Sequence, residues 1–276
     1  MTVLLALSGA VFYGLSDFVG GIASRRTSAW SVALMAALSG AVFVLLGGLV
    51  VDGDPTGTDL AWGVLAGVGN GFGTAFLYRG LSSGRMGVVA PISAVGAALV
   101  PVAAGLVGGE RPAGLVWLGI AAAFPGIWCV SQDPAADAPG ASGGVLDGVL
   151  AGLGFGVLFA ALGQVPEEAG LMPLALNQVV GAAVIIAVAR ALRVDWVPRE
   201  KPAAYGVVCG ALGAAATVAF LLATQAGALT VAAVLASLYP AVTILLAAVV
   251  LKEHVHRVQG LGLALCGMAV ALVAAG

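Results

Sequence analysis

Apolar stretches of about 20 residues, each ended by charges, prolines or runs of Gly, Ser and Asp, recur along the whole chain. About 20 apolar residues are what a helix needs to cross the hydrocarbon core of a bilayer. Segmenting at the interruptions predicts ten spans. In the first half they are residues 3–23, 29–51, 60–80, 87–107 and 113–130. In the second half they are 145–163, 171–192, 203–226, 229–251 and 258–275. Between the halves runs SQDPAADAPGASGG, the one long polar stretch rich in Pro and Gly, which reads as a linker over 131–144. The expected organisation is therefore a five-helix unit over 1–130, the linker, and a second five-helix unit over 145–276. Period-two alternation is missing, and backbone groups in lipid must be paired within the protein, so the spans are helices and not barrel strands.

Composition supports this picture. Hydrophobic residues make up 61% of the chain and charged residues 9%, against about 25% charged in soluble domains. Too few polar side chains are present to cover a water-facing surface, so the outer surface must face lipid. A net charge of -2 excludes a strongly basic chain, so nothing in it suggests nucleic-acid binding. Cys129, Cys209 and Cys266 lie inside apolar runs with no metal-ligand spacing and read as packing residues. Met1 is followed by Thr2, Val3 and Leu4 with no basic stretch, which argues against a cleavable signal peptide.

Charge adds orientation. Ten of the eleven Lys and Arg residues lie in or beside the loops after the first, third, seventh and ninth spans; only Arg111 falls on the other side. The positive-inside rule then puts the odd-numbered loops in the cytoplasm of a cell (plasma) membrane protein, with both termini outside. Overlaid helix by helix, the halves have opposite bias. The basic loops follow the first and third helices of the first half but the second and fourth of the second, where Arg190, Arg193, Arg199, Lys201, Lys252 and Arg257 sit. An odd number of spans per half inverts the second copy, so the expected fold is all-α, ten transmembrane helices in two inverted five-helix repeats. At a spacing of 143 residues Thr74 meets Thr217, Gly84 meets Gly227, Glu110 meets Glu253 and Gly119 meets Gly262.

Polar residues inside the spans are the candidate chemistry. Asp17 lies within an apolar helix, where a carboxylate is costly unless protonated, paired or wet. It either lines a cavity, as a contact for a substrate amine or a proton-linked site, or is an interfacial acid that reaches cytoplasmic water or pairs with Arg25 or Arg26. Tyr13, four residues earlier, shares its face. Asn70, Thr74 and Tyr78 form a four-residue stripe on the third span, and Thr217, Thr224 and Gln225 a second on the eighth. These stripes line a substrate cavity or make interhelical hydrogen bonds. Asn177 and Gln178 are neighbours and point apart. Ser93 joins Pro91 and Pro101 on the fourth span, and Ser237 and Tyr239 flank Pro240 on the ninth. The prolines are candidate hinges, where a helix bends or unwinds near a site, or plain kinks. Glycines recur every four residues at 63, 67 and 71 and at 148, 152 and 156, as helix-packing or sliding surfaces. Glu110 and Glu253 are expected at the starts of the fifth and tenth helices. Glu253, His254 and His256 lack a third histidine or cysteine at ligand spacing, so no metal and no cofactor is expected.

Two stretches carry a family resemblance. One is AFLYRGLSSGRMGVVAPISAVGAALVP running into GGERP; the other is LASLYPAVTILLAAVVLKEH running into QGLGLALCG. Each is a long small-residue helix with an acidic residue at its end and a Gly-bearing final helix. In this the chain resembles the drug/metabolite transporter superfamily, in its EamA-like branch, over nearly its whole length. Tyr13-Gly14 and Lys252-Glu253 stand where relatives often carry Trp-Gly and Gly-Glu. The resemblance implies a secondary carrier, commonly an exporter of amino acids, other small metabolites or drugs, with its cavity between the repeats.

The expected function is thus a secondary transporter of a small metabolite (amino acid, amine or drug-like compound) working by alternating access. The alternative is an intramembrane lipid-handling protein, either a flippase or a lipid-modifying enzyme. No HExxH and no phosphate-binding Gly-Lys loop is present, and no catalytic residue is assigned. The expected partners are the small-molecule substrate and the bilayer, with proton coupling and a homodimer left open.

Overall fold

A computed structural model describes residues 1–82, 86–132, 144–250 and 255–276, the side chains of 86–88, 91 and 247 excepted. Gly84, Lys252, Glu253, His254 and most of the linker lie outside the described residues. The described chain is helical throughout, with no strand. The first half holds α1 (Thr2–Ser24), α2 (Ala29–Gly48), α3 (Gly57–Ser82), α4 (Met86–Val107) and α5 (Gly114–Val130). The second holds α6 (Val145–Leu162), α7 (Met172–Ala191), α8 (Tyr205–Gln225), α9 (Leu229–Ala236), α10 (Tyr239–Val250) and α11 (Arg257–Ala275). Eight helices are long and apolar enough to cross a membrane when α9 and α10 count as one, and 92–107 and 114–130 are shorter apolar helices. Large apolar side chains such as Leu38, Val42, Leu118, Leu153 and Leu261 point outward. In water such a surface would be unstable, and in lipid it is the expected exterior. The chain is an integral membrane protein.

The ninth predicted span is corrected: it is two helices, not one. Ser237 N–H still reaches Ala233 O at 3.0 Å, but Leu238 bonds Leu235 O at 3.2 Å and Ala241 bonds Leu238 O at 3.0 Å, a tightened turn. The physical reason is Pro240, which supplies no N–H and sits most readily in a first helical turn, so α10 starts beside it. The fourth span differs, since α4 stays helical through Pro91 and Pro101.

Helix pairing follows an exchange rule. α3 packs on α6 and α7, while α8 packs on α1 and α2. α4 packs on α6, as α9 and α10 pack on α1; α5 pairs with α11 and α2 with α7. Swapping the halves leaves the pattern unchanged, and every one of these contacts joins one half to the other.

Glycine makes the close contacts. The stripe Gly63, Gly67 and Gly71 faces α7, where a methyl group on Gly67 would lie 2.6 Å from Val180 Cβ. The stripe Gly148, Gly152 and Gly156 faces α4, with Gly96 against Gly152. Between α3 and α6, a methyl on Gly154 would meet Gly73 N at 2.5 Å. Side chains of any size would force these backbones apart. At the end of the same seam Arg79 Nε donates to Asp147 Oδ1 at 2.8 Å, the one ion pair among the described residues, and the guanidinium also covers the Phe76 ring at 4.5 Å.

Candidate functional site

A cavity lies within this bundle, walled by five helices that contribute polar atoms or aromatic rings and by the small residues Ala36 and Ala37 of α2. From α1 come Tyr13, Ser16 and Asp17; from α3, Asn70, Thr74 and Tyr78; from α6, Phe155; from α7, Gln178; from α8, Cys209, Gly213 and Thr217. Its volume is about 50 Å³, room for on the order of three to five waters. Small residues border that space: Gly71 and Gly210 let α3 and α8 pack close to α7 and α2, and at Gly213 nothing lies within 4 Å of the place of a Cβ.

The cavity is off-centre along the helices. Its lining uses the later part of α1, α3 and α7 and the first half of α8, so it sits nearer the end of the bundle where α1, α3 and α7 finish and α8 begins. Asp17 is seven residues from the end of α1, roughly 10 Å at 1.5 Å per residue. Towards the opposite end the space is closed by rings. Phe159 stacks on Phe220 at 4.4 Å between centroids, Tyr13 meets Phe159 edge-on at 5.6 Å, and Tyr239 lies 6.3 Å from Tyr13.

Polar groups in the cavity differ in how well they are satisfied. Thr74 Oγ1 donates to Asn70 Oδ1 at 3.2 Å, and Asn70 Nδ2 donates to Gln178 Oε1 at 3.0 Å, a relay crossing from α3 to α7. Ser16 Oγ donates to Cys209 O at 3.1 Å and lies 3.5 Å from the Tyr78 hydroxyl. Thr217 Oγ1 bonds its own helix at Gly213 O and Ala214 O. Asp17 makes no hydrogen bond or ion pair among the described residues, with Arg25 and Arg26 included as non-partners. The buried hydroxyl of Tyr13, one turn earlier, has no hydrogen-bond partner either. A carboxylate and a phenol left open on one face of a cavity are the groups a bound molecule would meet.

The candidate residues therefore separate. Tyr13, Asp17, Asn70, Thr74, Tyr78 and Thr217 line one cavity. Ser93 and Tyr239 lie one layer behind it, their hydroxyls 2.8 Å apart, with Tyr239 against the Tyr13 ring. Ser237 bonds Ala233 O within the α9 end. Thr224 bonds Leu221 O, and Gln225 reaches Val165 O at 3.4 Å, at the far end of α8. Seven residues from Thr217 to Thr224 keep the same helix face but move along the axis by about 10 Å. Gln178 lines the cavity while its neighbour Asn177 is fully buried with neither side-chain atom paired. Sequence reasoning missed Ser16 and Cys209; the polar face of α1 at Tyr13 and Asp17 is the signal that could have brought in Ser16.

Glu110 also differs from expectation. It precedes α5, but its carboxylate accepts from the backbone of α9: Leu229 N–H to Oε1 at 2.6 Å and Thr230 N–H to Oε2 at 3.0 Å. No group of three or more His, Cys, Asp or Glu among the described residues could hold a metal.

Comparison with known proteins agrees with the helical frame. The model of the EamA-like transporter family matches residues 1–132 and again 142–275. No curated protein matches the chain. Chains of solved structure share the fold; one, described only as a crystal structure of protein, aligns over 98% of this chain and 95% of its own with a TM-score of 0.75 at 17% sequence identity.

Proposed function

Since the chain belongs to the EamA-like transporter family, we propose that it is a secondary carrier that exports a small metabolite through the cavity around Asp17, exposing it alternately to the two sides of the membrane. The observation that carries this reading is an acid without a partner in a cavity inside a membrane bundle, where such a group is retained for function and not for stability.

Ten spans arranged as inverted repeats follow from five helices per half, with α9 and α10 together forming the ninth. The exchange rule in helix packing supports them, because two inverted copies related by an axis in the membrane plane pack mainly on each other. The charge count then puts the Arg25 and Arg26 loop in the cytoplasm and both termini outside. On that assignment the cavity lies in the cytoplasmic half and the rings of Tyr13, Phe159, Phe220 and Tyr239 close the outer half.

Alternating access exchanges these two conditions. The half that is packed opens and the half that is hollow closes, as one repeat rocks against the other along glycine seams. The broken ninth span gives the outer half a place to bend. Protons are the proposed coupling ion, with Asp17 as the group that carries them.

Ligand-dependent stabilisation tests the reading. Purified protein is heated in the presence of amines, amino acids, sugars and nucleosides. A substrate at about one hundred times its Kd adds about 2.7 kcal/mol to the bound state. A compound that raises Tm for the wild type but not for Asp17→Asn supports the carrier. Equal shifts in both proteins, or none with any compound, would exclude it.

A further inference from the structure

From the charges of the cavity we infer that the substrate is a small organic monocation without a carboxylate, a primary amine being its simplest form. This rests on the carrier reading and narrows it.

Lining residues include one carboxyl side chain, Asp17, and no Lys, Arg or His. Among the described residues, the basic side chains of α3 and of the α1 end lie outside this lining. Arg79 is held by Asp147 and by the Phe76 ring, while Arg25 and Arg26 are exposed beyond the last turn of α1. A carboxylate brought in by a zwitterionic amino acid would find no cation among the lining residues to pair with and would face Asp17 across a space of about 50 Å³. Leaving a desolvated charge unpaired costs more than any single neutral hydrogen bond returns. An anionic substrate fares worse for the same reason.

A cation finds the opposite. Asp17 offers a carboxylate free of internal partners. Tyr13, Tyr78 and Phe155 put three rings on the same space, whose faces attract positive charge. Each amide oxygen already accepts one hydrogen bond, Asn70 Oδ1 from Thr74 and Gln178 Oε1 from Asn70, and Asp17 is the one carboxyl group in the lining. A metal cation is a poor fit, since it needs several oxygen ligands and the cavity provides one carboxylate. An ammonium group needs few acceptors and keeps an apolar remainder for the rings.

The asymmetry of the repeats isolates this charge. The spacing that superposes Thr74 on Thr217 puts Gly213 at the place of Asn70, and all four line the cavity. It puts Ala160 at the place of Asp17. The acid thus belongs to one repeat alone, and a single positive charge balances it.

Matched pairs test the inference. Proteoliposomes are loaded with ethanolamine, isoamylamine, histamine or tyramine, or with serine, leucine, histidine or tyrosine, which differ from them by the carboxylate. Efflux is read against protein-free vesicles and against Asp17→Asn and Asp17→Glu protein. The expected result is that at least one amine leaves faster than its amino acid by about tenfold or more, that Asp17→Asn removes this flux, and that Asp17→Glu keeps part of it. An amino acid leaving as fast as its amine, with Asp17→Asn still inactive, overturns the cation and leaves the carrier intact. No protein-dependent flux of any compound overturns both.

Discussion

Glu110 of the first repeat holds the first turn of a second-repeat helix, its two carboxylate oxygens accepting from Leu229 N–H at 2.6 Å and Thr230 N–H at 3.0 Å. Helix N-termini leave such donors unsatisfied and favour negative charge, so one side chain satisfies two orphan groups and meets the dipole. The contact ties the α4–α5 turn to the start of α9, the short helix whose other end is the break at Ser237 and Leu238.

Removing it therefore loosens the bundle without touching the cavity. Glu110→Ala is expected to cost about 1 to 2 kcal/mol, the range of a lost helix cap, and Glu110→Gln less because one oxygen acceptor survives. Thermal unfolding in detergent checks this; a Tm for Glu110→Ala equal to the wild type would mean the cap contributes nothing.

Two glycines give opposite outcomes. Gly154→Val drives a side chain into the α3 backbone, where even a methyl group would come within 2.5 Å of Gly73 N. The expected cost is about 1 to 3 kcal/mol or more, seen as a lower Tm and poor yield. Gly213 borders the cavity and has nothing within 4 Å of the place of a Cβ. Gly213→Phe should fold with a Tm near the wild type and lose transport by filling the space. Transport at the wild-type rate in Gly213→Phe would show that the solute takes another route.

Asp17 sets the pH dependence. The side chains that face it and can titrate are Tyr13 on its own helix, Tyr78 of α3 and Cys209 of α8, with Tyr239 of α10 behind Tyr13. From α2, α6 and α7 come Ala36, Ala37, Phe155, Gln178 and Ile185, none of which does. As pH falls through its titration the carboxylate becomes neutral, so the apparent affinity for a cation should fall with it. In Asp17→Asn affinity should be weak and flat from acidic to alkaline pH, with Tm unchanged or higher, because a buried charge without a partner is lost. A wild-type profile in Asp17→Asn would remove the residue from the mechanism.

Spans and their approximate limits were legible because lipid leaves a simple trace, a long apolar run closed by charge. Asp17 was legible for the same reason, as an acid inside such a run. The break at Ser237 and Leu238 was legible only as a proline; nothing in the one-dimensional pattern says whether the chain bends, as a helix like α4 can, or stops. Helical spacing put Thr217, Thr224 and Gln225 on one face but carries no depth, so two of them fell at the far end of α8. Gln178 and Asn177 could not be told apart, since which neighbour faces a cavity depends on how α7 is rotated against α3. Glu110 was placed beside α5 by sequence proximity, whereas its partner, α9, lies 119 residues away and is known only from the fold.

Accessibility of one cavity position from both sides of the membrane tests the central claim most directly. Thr217→Cys is placed in protein whose Cys129, Cys209 and Cys266 are replaced by Ala, then reconstituted in vesicles of known orientation. A maleimide that cannot cross lipid is added from one side or the other. The account predicts labelling of Cys at 217 from either side, with substrate changing the two rates in opposite directions. Labelling from one side only, whatever the substrate or pH, would contradict it.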